Sequence, residues 1–254
     1  MLGQSKIKRE LLAPAGSPEA LSAAISEGAD AVYLGLKDFN ARLRGHNFAY
    51  AQFEAAVRAI HSRGKKIYAA LNTVWTEREA DRLYQLATYI RETGADGVIV
   101  QDMGTLRMIT SCVGGLAIHA STQMNIASSG GCNALGKHSV SRVVLARELG
   151  INEIRQIRKN TNVELEVFVH GALCVSASGL CLFSSYLGGK SANRGMCTQA
   201  CRRIYYEGGT EGKYYFSPHD LELIRKMPEL AGAGINSFKI EGRMKSAEYT
   251  GTVT

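Results

Sequence analysis

The sequence predicts a (β/α)8 barrel of the TIM type, an α/β fold, with a cysteine-rich insertion after the seventh strand. Eight short runs rich in β-branched residues alternate with longer amphipathic runs, which is the pattern of β/α units around a parallel sheet. The chain has 254 residues and 45% hydrophobic content, which suits one such barrel, so residues 1–254 are assigned to a single domain. The predicted strands are Leu11–Ala13, Ala31–Leu34, Lys66–Leu71, Gly97–Gln101, Ala117–Ala120, Arg142–Leu145, Glu164–Val169 and Ser237–Ile240.

Helix signals fall between these strands. Ser17-Pro18 offers an N-cap followed by proline, and Thr76 with Glu79 forms a capping box. A glycine precedes the second, fourth and eighth strands, where it can end a helix and turn the chain. Few residues follow the eighth strand, so the last helix is expected to be truncated.

An open, doubly wound sheet is the alternative for this alternation. Its phosphate-binding Gly-x-Gly-x-x-Gly motif is missing after the first strand, where Ala13-Pro14-Ala15-Gly16-Ser17 stands instead. The barrel is therefore favoured, and an active site is expected at the C-terminal ends of its strands. The cysteine insertion, residues 172–212, opens on that rim.

The chain carries a formal net charge of +7. This excess suits an anionic partner such as RNA or a small dianion, although a generic basic surface would carry the same charge. The first residues lack the apolar run of a signal peptide, and no apolar stretch approaches the ~20 residues of a membrane span. These features predict a cytoplasmic protein without membrane association, and they carry no signal for an oligomeric state.

Four cysteines lie in one 28-residue stretch with the spacing Cys174-x6-Cys181-x15-Cys197-x3-Cys201, and no acidic residue lies between them. Four thiolates in a basic segment are what an iron–sulfur cluster requires. Structural zinc is an alternative, but it usually draws on cysteine pairs two to four residues apart, and only the last pair has that spacing. Disulfides would need an oxidising compartment, and ordinary buried or redox thiols are the remaining reading. Cys112 and Cys132 stand alone and are interpreted as structural.

Polar residues follow most of the predicted strands, and barrel closure would bring them to one rim. The candidates for substrate binding are Asn40, Arg42, Asn72, Gln123, Asn125, Arg194, Arg243 and Lys245. The wider rim set also contains Gln101, Asp102, Ser121 and Arg147. We expect Arg42, Arg194 and Arg243 to converge and to hold a small dicarboxylate through bidentate contacts. The alternative is that Glu241 and Arg243 form a rim ion pair while the amides satisfy loop backbone.

Three residues are candidates for a catalytic role, namely His119, His170 and Glu241. His119 lies in the fifth strand and could be an acid–base group, with a core position as the alternative. His170 immediately precedes the cysteine insertion, where it could hydrogen-bond to a cluster sulfur or a substrate, or simply pack. The His-Glu-x-x-His and Gly-x-Ser-x-Gly motifs of familiar hydrolases do not occur in the sequence.

A run in the second half of the chain resembles the signature of peptidase family U32, the collagenase-like proteases. It reads Glu166-x-Phe168-x-x-Gly171-Ala172-Leu173-Cys174-x4-Gly179-x-Cys181-x-Phe183-Ser184. The sequence departs from the pattern at Phe183, where the family has an aliphatic residue. Further matches are Leu12–Gly16, Asn193–Cys197 and Phe238–Ser246, so the resemblance covers nearly the whole chain.

The family name implies peptidase activity, but the better understood bacterial members are oxygen-independent hydroxylases. They form 5-hydroxyuridine in tRNA or 5-hydroxycytidine in 23S ribosomal RNA, with prephenate as co-substrate. They hold a [4Fe–4S] cluster on four cysteines, which the resemblance places on Cys174, Cys181, Cys197 and Cys201. The resemblance thus implies an iron–sulfur hydroxylase acting on tRNA or rRNA. A collagenase-like peptidase and a non-catalytic RNA-binding module are the alternatives.

Overall fold

The structure, a computed structural model, describes residues 9–209 and 211–254. Its strands are β1 (Glu10–Pro14), β2 (Ala31–Leu34), β3 (Lys66–Leu71), β4 (Gly97–Val100), β5 (Ala117–Ala120), β6 (Val140–Val144), β7 (Glu164–Gly171), β8 (Leu221–Glu222) and β9 (Ser237–Ile240). Eight of them are parallel and adjacent in the order β6-β5-β4-β3-β2-β1-β9-β7, and the pairing of β6 with β7 closes the barrel. The predicted TIM-like fold is confirmed.

Helices connect these strands around the barrel, except the seventh, which lies in the cysteine insertion over the rim. They are α1 (Pro18–Ser26), α2 (Tyr50–His61), α3 (Ala80–Thr93), α4 (Met103–Met108), α5 (Ser129–Gly136), α6 (Ile151–Lys159), α7 (Phe183–Gly188), α8 (Met227–Gly232) and α9 (Ala247–Val253). The sequence signals at helix starts hold where they were predicted: the Ser17 side chain caps α1, and Thr76 pairs with Glu79 before α3. None of the helices described has both the length and the apolar character needed to cross a membrane.

All eight predicted strands are present, and their ends differ from the prediction by two residues or fewer. The short strand β8 was not predicted, because two residues carry no periodic signal. It pairs antiparallel with the end of β7 through His170 and Glu222. The last helix, α9, has seven residues and begins where the Ser246 side chain accepts a hydrogen bond from the Tyr249 N–H at 3.2 Å.

The barrel interior holds an apolar layer and a buried ionic network. The apolar layer consists of Leu12, Ala31, Tyr33, Tyr68 and Ile99. In the network, the Arg142 guanidinium contacts the carboxylates of Glu10, Glu164 and Glu166, and Lys239 Nζ lies 2.8 Å from Glu166 Oε1. Buried charges persist when they are paired in this way, since a lone charge would be strongly destabilised by loss of water.

The cysteine insertion takes the place of a helix between β7 and β8, and in the structure this segment extends to residue 220. Arg202 ties its two ends together: Nη2 donates to the Leu173 carbonyl at 2.8 Å, and Nη1 donates to Ser217 Oγ at 2.8 Å. Gly195 has a φ of +80°, and a Cβ at this position would lie 2.3 Å from the Asn40 carbonyl oxygen. The insertion therefore packs directly against the loop after β2 and closes over the barrel rim.

Candidate functional site

A cavity of about 130 Å³ lies where the cysteine insertion covers the C-terminal ends of the strands. Strand ends provide one wall and the insertion provides the other. The strand-end residues include Tyr33, Arg42, Asn72, Gln123, Arg147, Phe168, Glu241 and Arg243. The insertion contributes Cys174, Ser178, Cys181, Phe183, Cys197 and Cys201. This is the rim at which the barrel architecture predicts an active site.

All four cysteines of the predicted cluster line this cavity. The Cys181 sulfur accepts a hydrogen bond from the Phe183 N–H at 3.3 Å, and the Cys197 sulfur accepts one from the Gln199 N–H at 3.4 Å. Burial raises the pKa of the Cys201 thiol, and the charges of the other three thiolates raise it further. The four sulfurs are thus close enough that their ionised forms would repel one another, and bound cations would relieve that repulsion.

The arrangement of the four thiols bears on which metal group they could hold. Within the described part of the chain, no group of three or more His, Cys, Asp or Glu side chains has a geometry that could hold one metal ion. Tetrahedral zinc would require all its sulfur ligands about 2.3 Å from one centre. In a [4Fe–4S] cluster each thiolate binds a different iron, so the sulfurs surround the cluster at wider spacing. Four thiols on one cavity are the donor set that a [4Fe–4S] cluster requires.

Glu148 holds the loop between the first two cysteines. Its carboxylate accepts hydrogen bonds from the Ser178 N–H at 2.7 Å and from Ser178 Oγ at 2.9 Å. Ser178 is buried and has a φ of +43°, in the left-handed region that non-glycine residues seldom adopt. Burial would raise the pKa of Glu148, but the two hydrogen bonds from Ser178 lower it below its usual value. Glu148 therefore stays ionised and fixes the strained turn.

Glu241 lies on the floor of the cavity between two arginines. Arg42 Nη2 lies 3.0 Å from Oε1, and Arg147 Nη2 lies 3.5 Å from Oε2. Burial would raise the pKa of Glu241, but Arg42, Arg147 and Arg243 lower it to about 2. The carboxylate is therefore ionised at neutral pH and acts as a counter-ion. A role as general acid would require a raised pKa.

Arg147 has hydrogen-bonding capacity left over. Its guanidinium stacks over the Phe168 ring at 3.8 Å, and Nη1 donates to the Ala172 carbonyl at 3.0 Å. Its Nε is buried without a hydrogen-bond partner among the residues described. A buried donor without a partner costs on the order of 1–3 kcal/mol, so this atom marks a place where a ligand acceptor would be stabilising.

The two amides of the site form one hydrogen-bonded unit. Asn72 Oδ1 accepts from the Ala41 N–H at 3.0 Å, and Asn72 Nδ2 donates to Gln123 Oε1 at 2.9 Å. Gln123 is held in turn by Ser121, whose Oγ accepts from the Gln123 N–H at 3.3 Å. These contacts orient both amides at the cavity wall.

Four of the eight predicted binding residues and one of the three catalytic candidates line the cavity. These are Arg42, Asn72, Gln123, Glu241 and Arg243. Arg243 is buried above the Tyr33 ring, 5.6 Å from its centroid, and Nη1 donates to Asn40 Oδ1 at 3.3 Å. The remaining binding candidates, Asn40, Asn125, Arg194 and Lys245, lie elsewhere.

The expected convergence of three arginines is wrong for Arg194. Its Nη2 lies 2.8 Å from Glu79 Oε1, and Nη1 donates to the Val74 carbonyl at 3.3 Å, so it points to the loop before α3. Arg147 stands in the cavity instead. The carboxylate Glu79 could not be anticipated as its partner, because the two residues are far apart in sequence.

Asn40, Asn125 and Lys245 are also outside the cavity lining. Asn40 is fully buried and structural, because its Oδ1 accepts from the N–H of Arg42 at 2.8 Å and its Nδ2 donates to the Leu36 carbonyl at 2.5 Å. Asn125 is exposed and ends the helical turn after β5 with a φ of +54°. Lys245 is exposed, with Nζ 5.4 Å from the centre of the Tyr249 ring.

Neither histidine lines the cavity. His119 is buried in the barrel interior with its ring 4.5 Å from that of Tyr68, and burial followed by the charge of Arg142 lowers its pKa to about 3. His119 is therefore neutral at physiological pH and occupies the core position given as the alternative. His170 faces Tyr249, with ring centroids 6.0 Å apart. The register of β7 against β9 shifts between Phe168, which lines the cavity, and His170, which does not.

Sequence reasoning missed four residues of the site as ligand-binding or positioning groups, namely Tyr33, Arg147, Glu148 and Phe168. Arg147 belonged to the wider rim set. Its unpaired Nε, which distinguishes it from the other members of that set, can be recognised only in the structure. Alternation along β2 and β7 could have placed Tyr33 and Phe168 inside the barrel, since residues two apart share a face. The partnership of Glu148 with Ser178 had no sequence signal.

Comparison with known proteins covers the chain almost completely. The family model of peptidase family U32 matches residues 16–254. An uncharacterised protease of Methanocaldococcus jannaschii is 42% identical over 94% of this chain and 62% of its own length. The 23S rRNA 5-hydroxycytidine synthase of Escherichia coli is 38% identical over 98% of this chain and 39% of its own length. The tRNA hydroxylation protein P1 of Bacillus subtilis is 34% identical over 97% of this chain and 61% of its own length.

The fold has a counterpart among solved structures. The structure of a U32 peptidase superposes with a TM-score of 0.66 over 95% of this chain and 96% of that chain, at 15% sequence identity. This likeness concerns the fold alone. The chain spans less than two thirds of the length of each of the three relatives.

Proposed function

The chain belongs to peptidase family U32, and we propose that it is the barrel domain of an RNA hydroxylase that forms a 5-hydroxypyrimidine in tRNA or rRNA. One observation carries this proposal: four thiols and a polar pocket with buried arginines share a single cavity. The names of the Bacillus subtilis and Escherichia coli relatives, at 34% and 38% identity, support the reaction class. An RNA substrate would place the activity in the cytoplasm.

A [4Fe–4S] cluster is the cofactor that we assign to Cys174, Cys181, Cys197 and Cys201. The sulfurs line one cavity and two of them accept backbone N–H hydrogen bonds, contacts that tune the potential of such a cluster. When bound, it supplies one-electron transfer. The protein positions it: Glu148 fixes the loop between the first two cysteines through Ser178.

A small dicarboxylate, with prephenate as the candidate co-substrate, is the anion that we assign to the arginine side of the cavity. Arg42, Arg147 and Arg243 lower the pKa of Glu241, and Glu148 is a second carboxylate of the cavity lining, so three guanidiniums face two carboxylates. The surplus charge and the free Nε of Arg147 favour an anionic ligand. Asn72 and Gln123 provide further polar contacts beside it.

Replacing Arg147 by alanine should weaken prephenate binding to the anaerobically purified chain by about tenfold or more, since a hydrogen bond to a charged group contributes about 1.5–3 kcal/mol. Lysine at this position should restore binding only in part, because an ammonium lacks the planar fork. Isothermal titration calorimetry measures both. Arg58→Ala, which removes an exposed guanidinium on α2, is the matched control. If Arg147→Ala binds prephenate with unchanged affinity, the anion does not bind at this position.

Mass spectrometry of nucleosides from a deletion strain tests the proposed function. Loss of a 5-hydroxypyrimidine from tRNA or rRNA is expected, with restoration by the full-length gene and no restoration by the same gene carrying Cys197→Ser. Cys112→Ser changes an exposed cysteine outside the cavity and should restore the nucleoside fully. Because one relative is named a protease, gelatin cleavage is assayed in parallel. Unchanged RNA together with cleavage would replace the hydroxylase assignment by a peptidase.

A further inference from the structure

The cysteine insertion exposes large aromatic side chains to solvent. Tyr186 is 86% exposed, Tyr206 is 75% exposed and Tyr214 is 60% exposed. Exposed apolar surface of this kind marks a binding site more often than chance placement does. The feature is local, because most of the exposed large apolar side chains of the described residues belong to this one segment.

Two of these tyrosines lie on one face of a short hairpin. Tyr205 and Lys213 pair antiparallel, each N–H donating to the carbonyl of the other at 2.9 Å. Because side chains alternate along paired strands, Tyr205 and Lys213 face one side while Tyr206 and Tyr214 face the other. The second side, together with Ile204, is called the outer face below.

The inner side of the hairpin is anchored to the wall of the cavity. The Tyr205 ring stacks on Phe183 with centroids 6.2 Å apart and meets Phe216 edge-on at 5.3 Å. The Tyr205 hydroxyl donates to the Ala200 carbonyl at 2.9 Å. Phe183 and Ala200 both line the cavity. The outer face is therefore fixed in position relative to the site of the proposed reaction.

The ring of Tyr206 is supported on one side only. A Cβ built on Gly212 would lie 2.7 Å from Tyr206 Cε1 and 2.4 Å from Ile204 Cγ2, so both side chains lie against the bare backbone of this glycine. The opposite face of the ring is open to solvent, which explains why Tyr206 is 75% exposed. A rigid aromatic ring with one supported and one open face is a stacking surface that needs little reordering to bind a planar group.

We propose that the outer face, Ile204, Tyr206 and Tyr214, stacks unpaired nucleobases that flank the pyrimidine in the cavity; this rests on the proposed function. Aromatic rings beside basic side chains are the usual surface for single-stranded nucleic acid. Lys190 and Arg203 are exposed in the same segment, Lys213 is exposed on the other side of the hairpin, and no carboxylate occurs between Cys174 and Tyr206. The segment has three carboxylates: those at positions 207 and 211 lie between the paired residues of the hairpin, and Asp220 lies 3.6 Å from Arg202 Nη2.

Fluorescence anisotropy with a fluorescein-labelled single-stranded RNA of about 12 nucleotides tests this surface. Tyr206→Ala and Tyr214→Ala should each raise the Kd about fivefold or more, because each removes a stacked base. Tyr206→Phe keeps the ring and should bind within about twofold of the unaltered chain. Tyr206→Ala removes no charge, so the slope of log Kd against log salt concentration should stay the same. Tyr84→Ala, on α3 with 43% exposure, is the matched control and should leave Kd unchanged.

Unchanged RNA affinity in both alanine variants would overturn the stacking surface. If the full-length gene still restores the 5-hydroxypyrimidine in that case, the proposed function stands and only the location of the RNA is wrong. If the unaltered chain neither binds RNA nor restores the nucleoside, both proposals fall. If Tyr206→Ala converts a dimer into a monomer without changing RNA affinity, as judged by light scattering, the outer face joins protein copies and the RNA assignment is wrong.

Discussion

Serine in place of Cys174, Cys181, Cys197 or Cys201 is expected to remove most of the iron from the anaerobically purified protein. The unaltered chain should be brown and contain about four iron and four sulfide per chain, the stoichiometry of a cluster on four thiolates. A serine hydroxyl is a harder and far less acidic ligand than a thiol, so each substitution removes one anchor. Iron and sulfide analysis with visible spectra measures the loss.

Two observations make this a test of the site rather than of cysteine in general. Cys112 is exposed and lies far along the chain from the cavity, so Cys112→Ser should keep the full iron content. Cys132 is buried, and burial raises the pKa of its thiol to about 11, as expected for a packing role. Cys132→Ser should keep the cluster as well, although it places a hydroxyl in the core. A colourless protein with one zinc ion per chain would contradict the assignment.

The fold was predictable because its signals are local and repeated. Each strand is a short β-branched run followed by a turn and an amphipathic helix, and these features depend on neighbours within a few residues. The four cysteines could also be grouped from sequence, since they lie in one segment. The strand ends pointed to the right rim, and five of the candidates found there do line the cavity.

The errors concern residues whose partners are distant in sequence. Arg194 was assigned to the anion, but Glu79, which lies 115 positions away, holds its guanidinium. Asn40 was assigned to the substrate, but its oxygen supports Arg243 from 203 positions away. Such pairs form only when barrel closure juxtaposes loops, and spacing along the chain does not encode them. His119 was ambiguous for the same reason, because its environment is set by β3 and β6.

Removing Glu166 from the ionic network inside the barrel is expected to lower the stability of the fold by a large amount. Glu166 has no exposed surface and is shared by Arg142 and Lys239, whose contacts with it are 3.3 Å and 2.8 Å. Glu166→Ala would leave buried Lys239 without its carboxylate partner, while Arg142 would keep only Glu10 and Glu164. Removing one partner from a buried ion pair costs about 3–5 kcal/mol, so we expect the free energy of unfolding in urea at pH 7 to fall by that amount. Glu92→Ala, which removes the exposed partner of Arg91 at 3.1 Å, should change it by less than about 0.5 kcal/mol.

The loss of unfolding free energy in Glu166→Ala should become smaller as the pH falls. Burial would raise the pKa of Glu166, but Lys239 and Arg142 lower it to about 2, from an ordinary value of 4.5. A carboxyl whose folded pKa is depressed contributes stability that is complete above its unfolded pKa and disappears as pH falls through its folded pKa. The difference in unfolding free energy between the unaltered chain and Glu166→Ala should therefore be largest above pH 4.5 and narrow between about pH 4.5 and pH 2. A difference that stayed constant over this window would show that the ionised carboxylate does not stabilise the barrel, and that Glu166 acts there only by filling space.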